Sequence, residues 1–305
     1  MAAPDGGRLV PALVLVVNAF VWGVSWWPFR ELQAAGLHPL WATAFIYTVS
    51  VALLLLVRPG AWRGFAGQPQ LWLLLLAAGF TNVGFNWAVT VGDVVRVVLL
   101  FYLMPAWSVL LAWPLLGERP SAAVLLRLVL ALAGVVVILH TPGASWPVPR
   151  SLADVLALSG GFSFALTNIL LRRLQRAPSA TRIGAMFAGG AVAAALAGCV
   201  GMAQGVVPAP VLLSGEPLAM GLLLSLAFLA GNAALQYSAS RLPAQTTSLV
   251  MLSEVLFASL SAVLLGAARL APNVWTGGAL VVLAAAWSAW DMPGAPRSGR
   301  SQSPA

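Results

Sequence analysis

Apolar and polar positions fall in long blocks along this chain. About ten apolar stretches, each of roughly 20 residues, run from Leu9 to Trp290, and that length of helix spans the hydrocarbon core of a bilayer. The pattern predicts spans at 9–29, 39–57, 70–91, 94–116, 121–140, 151–172, 180–203, 217–240, 244–266 and 272–290. Proline, glycine and arginine punctuate them at RPGAWRGFAGQPQ (58–70), GERP (117–120), TPGASWPVPR (141–150) and QGVVPAPVLLSGEP (204–217).

The blocks repeat. Residues 79–139 lie on 228–288 at one constant offset, the most legible stretches being YLMPAWSVLLAWPLLGERPS (102–121) and VMLSEVLFASLSAVLLGAARLA (250–271). A unit with an odd number of spans inserts upside-down relative to its twin. The predicted fold is therefore an all-α integral membrane protein of ten transmembrane helices. It forms two inverted five-helix repeats, 9–140 and 151–290, around a central cavity, with 141–150 as linker. Many secondary transporters build two alternately exposed faces this way. The Pro-, Ser-, Gly- and Arg-rich 291–305 reads as a disordered tail.

Composition agrees with burial in lipid: 60% hydrophobic, 8% charged, mean hydropathy +0.92. The net charge of +8 does not signal nucleic acid, because the arginines sit in short loops. They report topology instead. With both termini cytoplasmic, the inner side holds twelve arginines and the outer side four, Arg30, Arg96, Arg150 and Arg269. The first span runs into WWPFRE with no small-residue cleavage site and reads as a span, not a leader. The single cysteine, Cys199, cannot pair within the chain. In span seven Ala185, Gly189, Ala193, Ala197 and Gly201 recur every four residues, a small-residue stripe that lets another helix approach closely.

Polar side chains inside a membrane are the sparse signal, since each is costly unless paired or hydrated. Span one carries Asn18 and Trp22; span three, Asn82 and Asn86; span six, Phe164, Thr167 and Asn168; span eight, Asn232, Gln236 and Tyr237. The i, i+4 spacing of Asn82/Asn86 and of Asn232/Gln236 puts each pair on one helical face. An inverted repeat would turn both pairs toward a shared centre. The competing role for each is an interhelical bond that only holds the bundle. Span four adds Phe101, Tyr102 and Pro105, the last at a mid-span position where a missing N–H can kink the helix. Span nine adds Ser248, Met251 and Glu254. Glu254 is the sole carboxylate near the middle of a span, and two roles stay open: a proton-coupling or amine-binding group, or a protonated carboxyl sealed in a packing contact. Asp93 and Arg96 can pair at the outer start of span four, and Arg127 can snorkel from span five.

Nothing reads as an enzyme. There is no GxSxG, no HExxH and no phosphate-binding Gly-Lys loop, and no Cys/His cluster offers a metal site. No cofactor is expected.

The first-span FVWGVSWWPFRE (20–31), the run FNWAVTVGDVVRVVLLFYLMPAWSVLLAWPLLGERPS (85–121) and its counterpart QYSASRLPAQTTSLVMLSEVLFASLSAVLLGAARLAPN (236–273) resemble the drug/metabolite transporter superfamily, in its ten-helix EamA-type branch. The second copy departs from the pattern: Glu254 stands at the place of Pro105, and Ala267 at the place of Glu118. The resemblance implies a basket-like bundle with a central cavity, in a bacterial cytoplasmic membrane. Within the superfamily the chain is most similar to the aromatic amino acid exporters. That implies export of Phe, Tyr, Trp and other apolar amino acids by alternating access, by facilitated diffusion or proton coupling. The expected partners are such a small-molecule substrate and the lipid bilayer; the oligomeric state is not readable. A cavity edged by Trp22, Phe101, Tyr102, Phe164, Tyr237 and Met251 would suit a flat apolar ring. The alternatives are a cationic drug or another small metabolite as cargo and, more remotely, a non-transporting scaffold.

Overall fold

The structure, a computed structural model, describes residues 6–65, 67–116, 122–139, 149–239, 241, 250–251, 253–267 and 272–290. Among these residues it is helical with no strand. The helices are α1 (Gly6–Val24), α2 (Trp26–Ala34), α3 (Pro39–Val57), α4 (Gln70–Val91), α5 (Val94–Phe101), α6 (Met104–Leu116), α7 (Ala122–Leu139), α8 (Leu152–Arg173), α9 (Ser179–Ala203), α10 (Gly215–Ala239), α11 (Ser253–Leu264) and α12 (Pro272–Trp290). Among the described residues six helical segments are long and apolar enough to cross a membrane: Leu9–Ala34, Pro39–Val57, Gln70–Val91, Leu152–Leu171, Ser179–Ala203 and Gly215–Ser238. The chain is a multi-span membrane protein. Most of the linker, the start of the expected ninth span and the tail 291–305 lie outside the described residues.

Two expected spans are jointed. Span one is α1 plus α2, and span four is α5 plus α6. Both joints have one cause. Pro28 has no N–H for the carbonyl of Val24, where α1 ends; Pro105 has none for that of Phe101, where α5 ends. Ser25 bridges the first joint by donating its hydroxyl to the Trp22 carbonyl at 2.8 Å. Pro105 is the second residue of α6, a position where its fixed φ suits a helix start.

Caps fix other starts. The His38 Nδ1 accepts from the Leu40 N–H at 3.3 Å ahead of α3. Asp93 accepts from the Arg96 N–H at 2.8 Å at the head of α5, and Ser151 from the Asp154 N–H at 3.0 Å at the head of α8.

Helix α4 sits centrally, packed on α8 and α9. Its contact with α9 is glycine on glycine. A side chain on Gly79 would come within 2.6 Å of the Gly189 carbonyl oxygen, and one on Gly189 would strike the Leu75 carbonyl. The small-residue stripe of α9 is a packing surface there. Helix α3 also packs on α9, α1 on α10 and α11, and α7 on α12. Large apolar side chains such as Leu56, Phe80, Leu212 and Leu223 cover the outside, which suits a lipid surround.

Among the described residues three apolar clusters fill the bundle. The largest gathers Trp26, Val89, Val94, Val97, Val98, Leu100, Ala153, Ala157 and Ala262 where α4 ends and where α5 and α8 begin. It plugs that end of the bundle.

Candidate functional site

A cavity lies among the central parts of α1, α3, α4, α8, α9 and α10, at the α5–α6 joint and beside α11. About 790 Å³ of space lies between its lining atoms, counting the part open to solvent.

Aromatic rings make a continuous wall. Phe187 contacts Tyr47 at 5.3 Å between centroids, Tyr47 contacts Phe228 at 5.8 Å, and Trp22 stacks on Phe228 at 4.3 Å and 17°. From Trp22 the series runs through Phe85 at 6.4 Å and Phe101 at 4.7 Å to Phe164 at 5.5 Å. Except for Phe228, every ring in the series lines the cavity, and Met104, Met186 and Met251 add thioethers.

Polar groups interrupt this wall. Tyr47 donates to the Asn82 Oδ1 at 2.8 Å, joining α3 to α4. Asn18 reaches the Met251 sulfur at 3.3 Å through its Nδ2. The Tyr102 hydroxyl lies 2.9 Å from the Glu254 Oε2 and 3.1 Å from the Met251 carbonyl. Three lining oxygens are buried with no hydrogen-bond partner among the described residues: Asn18 Oδ1, Thr167 Oγ1 and Asn232 Oδ1. Buried polar atoms are rarely left unmet, so these three stand ready for a polar guest. Among the described lining residues none is basic, and Glu254 is the only carboxyl group.

The structure brings Asn18, Trp22, Asn82, Phe101, Tyr102, Phe164, Asn232, Met251 and Glu254 to this cavity. The other expected residues lie elsewhere. Asn86 is buried beside α3, donating to Thr43 at 3.3 Å. Asn168 is half-buried off the wall. Gln236 accepts from Arg182 at 3.3 Å, and Tyr237 lies under the Arg241 guanidinium at 3.9 Å. Ser248 lies outside the described residues, and of Pro105 only the backbone is described.

The sequence reading missed Tyr47, Met186 and Phe187. The signal for Tyr47 was a polar run on one face of span two: Thr43, Tyr47 and Ser50. Met186 and Phe187 sat on a helix read for its small-residue stripe. Asp93 and Arg96 are also not a side-chain pair as expected. Asp93 caps the backbone, and the Arg96 guanidinium binds Asp154 through Nε at 2.8 Å and Nη2 at 3.1 Å. Helix α8 brings a carboxylate within reach from far along the chain.

Residues 9–140 match the EamA-like transporter family. The match spans α1 to α7, the first half of the cavity wall, and points to membrane transport of small molecules. A solved structure titled "Crystal structure of protein" is 19% identical, with a TM-score of 0.58, over 92% of this chain and 96% of its own. At that identity the likeness is one of fold alone. No curated protein matches. Among the described residues no group of three His, Cys, Asp or Glu side chains could hold a metal ion.

Proposed function

We propose that the protein is a secondary transporter that exports aromatic and other hydrophobic amino acids from the cytoplasm. It works by alternating access between two inverted halves, 9–140 and 151–290. The observation that carries this reading is the cavity itself: an aromatic wall with three buried, unmet oxygens. The rings suit a flat apolar side chain. Asn18 Oδ1, Asn232 Oδ1 and Thr167 Oγ1 can accept from an ammonium, while the Asn232 amide and the Thr167 hydroxyl can also donate to a carboxylate.

The packing pairs support the inverted halves. The repeat exchanges α1–α2 with α8, α3 with α9, α4 with α10, α5–α6 with α11 and α7 with α12. Under that exchange the α4–α8 contact becomes α10–α1, α5–α8 becomes α11–α1, and α4–α9 becomes α10–α3; all six are present. The α3–α9 and α7–α12 contacts map onto themselves, as contacts across a two-fold axis do. The arginine asymmetry, twelve against four, supports a reading with both termini in the cytoplasm.

Uptake of labelled phenylalanine or tryptophan into proteoliposomes, without a pH gradient, tests the reading. Saturable uptake blocked by other aromatic amino acids, and not by aspartate or lysine, is the expected result. No uptake above empty liposomes, with or without a gradient, rejects the amino acid assignment.

A second reading, export of a cationic compound, is favoured by Glu254, the carboxyl group on a wall whose described residues include no basic one. Loss of transport of cations alone in Glu254→Gln would select it.

A further inference from the structure

The geometry points to the Arg96–Asp154 pair as a latch that holds the outer end of the two halves shut, so that release of cargo outward waits on its opening. The inference rests on the transport reading, but the labelling arm of its test does not.

The pair crosses between halves, from the head of α5 to the head of α8. It is a two-pronged contact at 2.8 and 3.1 Å, the geometry that makes guanidinium–carboxylate pairs strong. The Asp154 side chain is 3% exposed, and that of Arg96 is 22% exposed. Asp154 is set before Arg96 arrives: its carboxylate takes the Arg150 N–H at 3.2 Å, and Ser151 caps its own N–H. A fixed, buried carboxylate with one solvent-touching cation is a joint that can part on one side.

Beneath the pair lies the apolar plug, with Val97, Ala153 and Ala157 buried next to the two heads. The plug separates the latch from the cavity, whose wall along α5 starts only at Phe101. A second cross-half bond stands at the same end, from the Trp26 Nε1 to the Ser261 Oγ at 2.9 Å.

The latched helix is also a separate rigid piece. Helix α5 ends at the joint before Pro105, and the joint residue Tyr102 touches Glu254 and Met251 in the cavity. A guest that shifts Tyr102 therefore acts on the piece that carries Arg96.

The sequence repeat offers no copy of the latch at the opposite end. At the repeat offset the cation, Arg96, falls on Gln245.

The test uses the full chain in proteoliposomes, with the exposed Cys199 replaced by serine. A reporter cysteine at Ala157 is labelled from outside with a membrane-impermeant maleimide. Asp154→Asn is expected to speed labelling by about tenfold, since a buried charge pair loses one partner. In a second arm, cysteines at Arg96 and Asp154 are bridged by a short bis-methanethiosulfonate. Bridging should stop phenylalanine uptake, and a reducing agent should restore it. Unchanged labelling in Asp154→Asn, or uptake that continues through the bridge, overturns the latch. If the double-cysteine protein is inactive before bridging, the labelling arm decides. If the parent protein moves no amino acid, the transport reading fails while labelling still decides the latch.

Discussion

The hydroxyl of Tyr102 meets the main-chain carbonyl of Met251 at 3.1 Å, and the two residues hold the same place when 79–139 is laid on 228–288. Two copies of one position can touch only where the halves meet. The same hydroxyl is 2.9 Å from Glu254. A phenol has one proton. A protonated Glu254 can donate to Tyr102, leaving Tyr102 to donate to Met251. An ionised Glu254 takes the Tyr102 proton bond for itself and frees the carbonyl. Tyr102→Phe should therefore slow maximal transport by about tenfold, the worth of a buried hydrogen bond to an ionisable group. Its KM should move far less. Kinetics of labelled phenylalanine uptake check both.

Glu254→Gln and Glu254→Leu should part company in stability. Glutamine can still donate to Tyr102, so its melting temperature in detergent should stay near that of the parent. Leucine leaves the Tyr102 hydroxyl with the Met251 carbonyl alone, and a loss of about 0.5–1.5 kcal/mol, the net worth of one hydrogen bond, is expected. Thermal unfolding of the purified variants reads the difference.

Asn232→Leu separates a binding role from a packing one. The Asn232 side chain is buried, and its Oδ1 has no partner among the described residues. Removing an unmet polar group should leave stability unchanged or raise it by about 1 kcal/mol. The KM for phenylalanine should rise instead. A fall in melting temperature with an unchanged KM would place Asn232 among the packing residues.

Gly189→Ala should destabilise by about 1–3 kcal/mol or more, as overpacking does, because the new methyl strikes the Leu75 carbonyl. Gly67→Ala, with open space around it, is the control and should cost little. Melting temperatures of the two variants provide the comparison.

The His38 cap predicts a pH dependence. Burial holds the imidazole below its ordinary value, and its Nδ1 must be free of a proton to accept from Leu40. A group whose folded value is lowered gives stability that is full above its unfolded value, about 6.5, and is lost as pH falls below it. The melting temperature should drop between pH 7.5 and pH 5.5. The drop should shrink in His38→Asn, which caps at either pH.

Much of this molecule was legible in its sequence. The long apolar blocks and their breaks marked the helix positions, because a bilayer leaves a chain few other ways to satisfy its backbone. Asn18, Asn82, Asn232 and Glu254 stood out because polar residues are scarce in such blocks. Pro105 announced a joint in span four, and the structure adds that the joint lies upstream, where the missing N–H leaves the Phe101 carbonyl. The equivalent joint at Pro28 was not read, because Pro28 lay at the presumed end of a span. Tyr47 and Phe187 were hidden among apolar neighbours on helices buried from several sides. Which face of such a helix meets a cavity is decided by partners far along the chain. Arg96 shows the same limit, since its carboxylate arrives on α8.

The glycine-on-glycine crossing of α4 and α9 has a consequence for how the protein is made. Helix α4 is synthesised early, yet the surfaces that cover Gly79 and Gly84 belong to α9 and α8. A nascent chain that has released only its first half into the membrane carries that seam bare. The first half therefore cannot complete its packing as the ribosome delivers it, and the two halves must mature together.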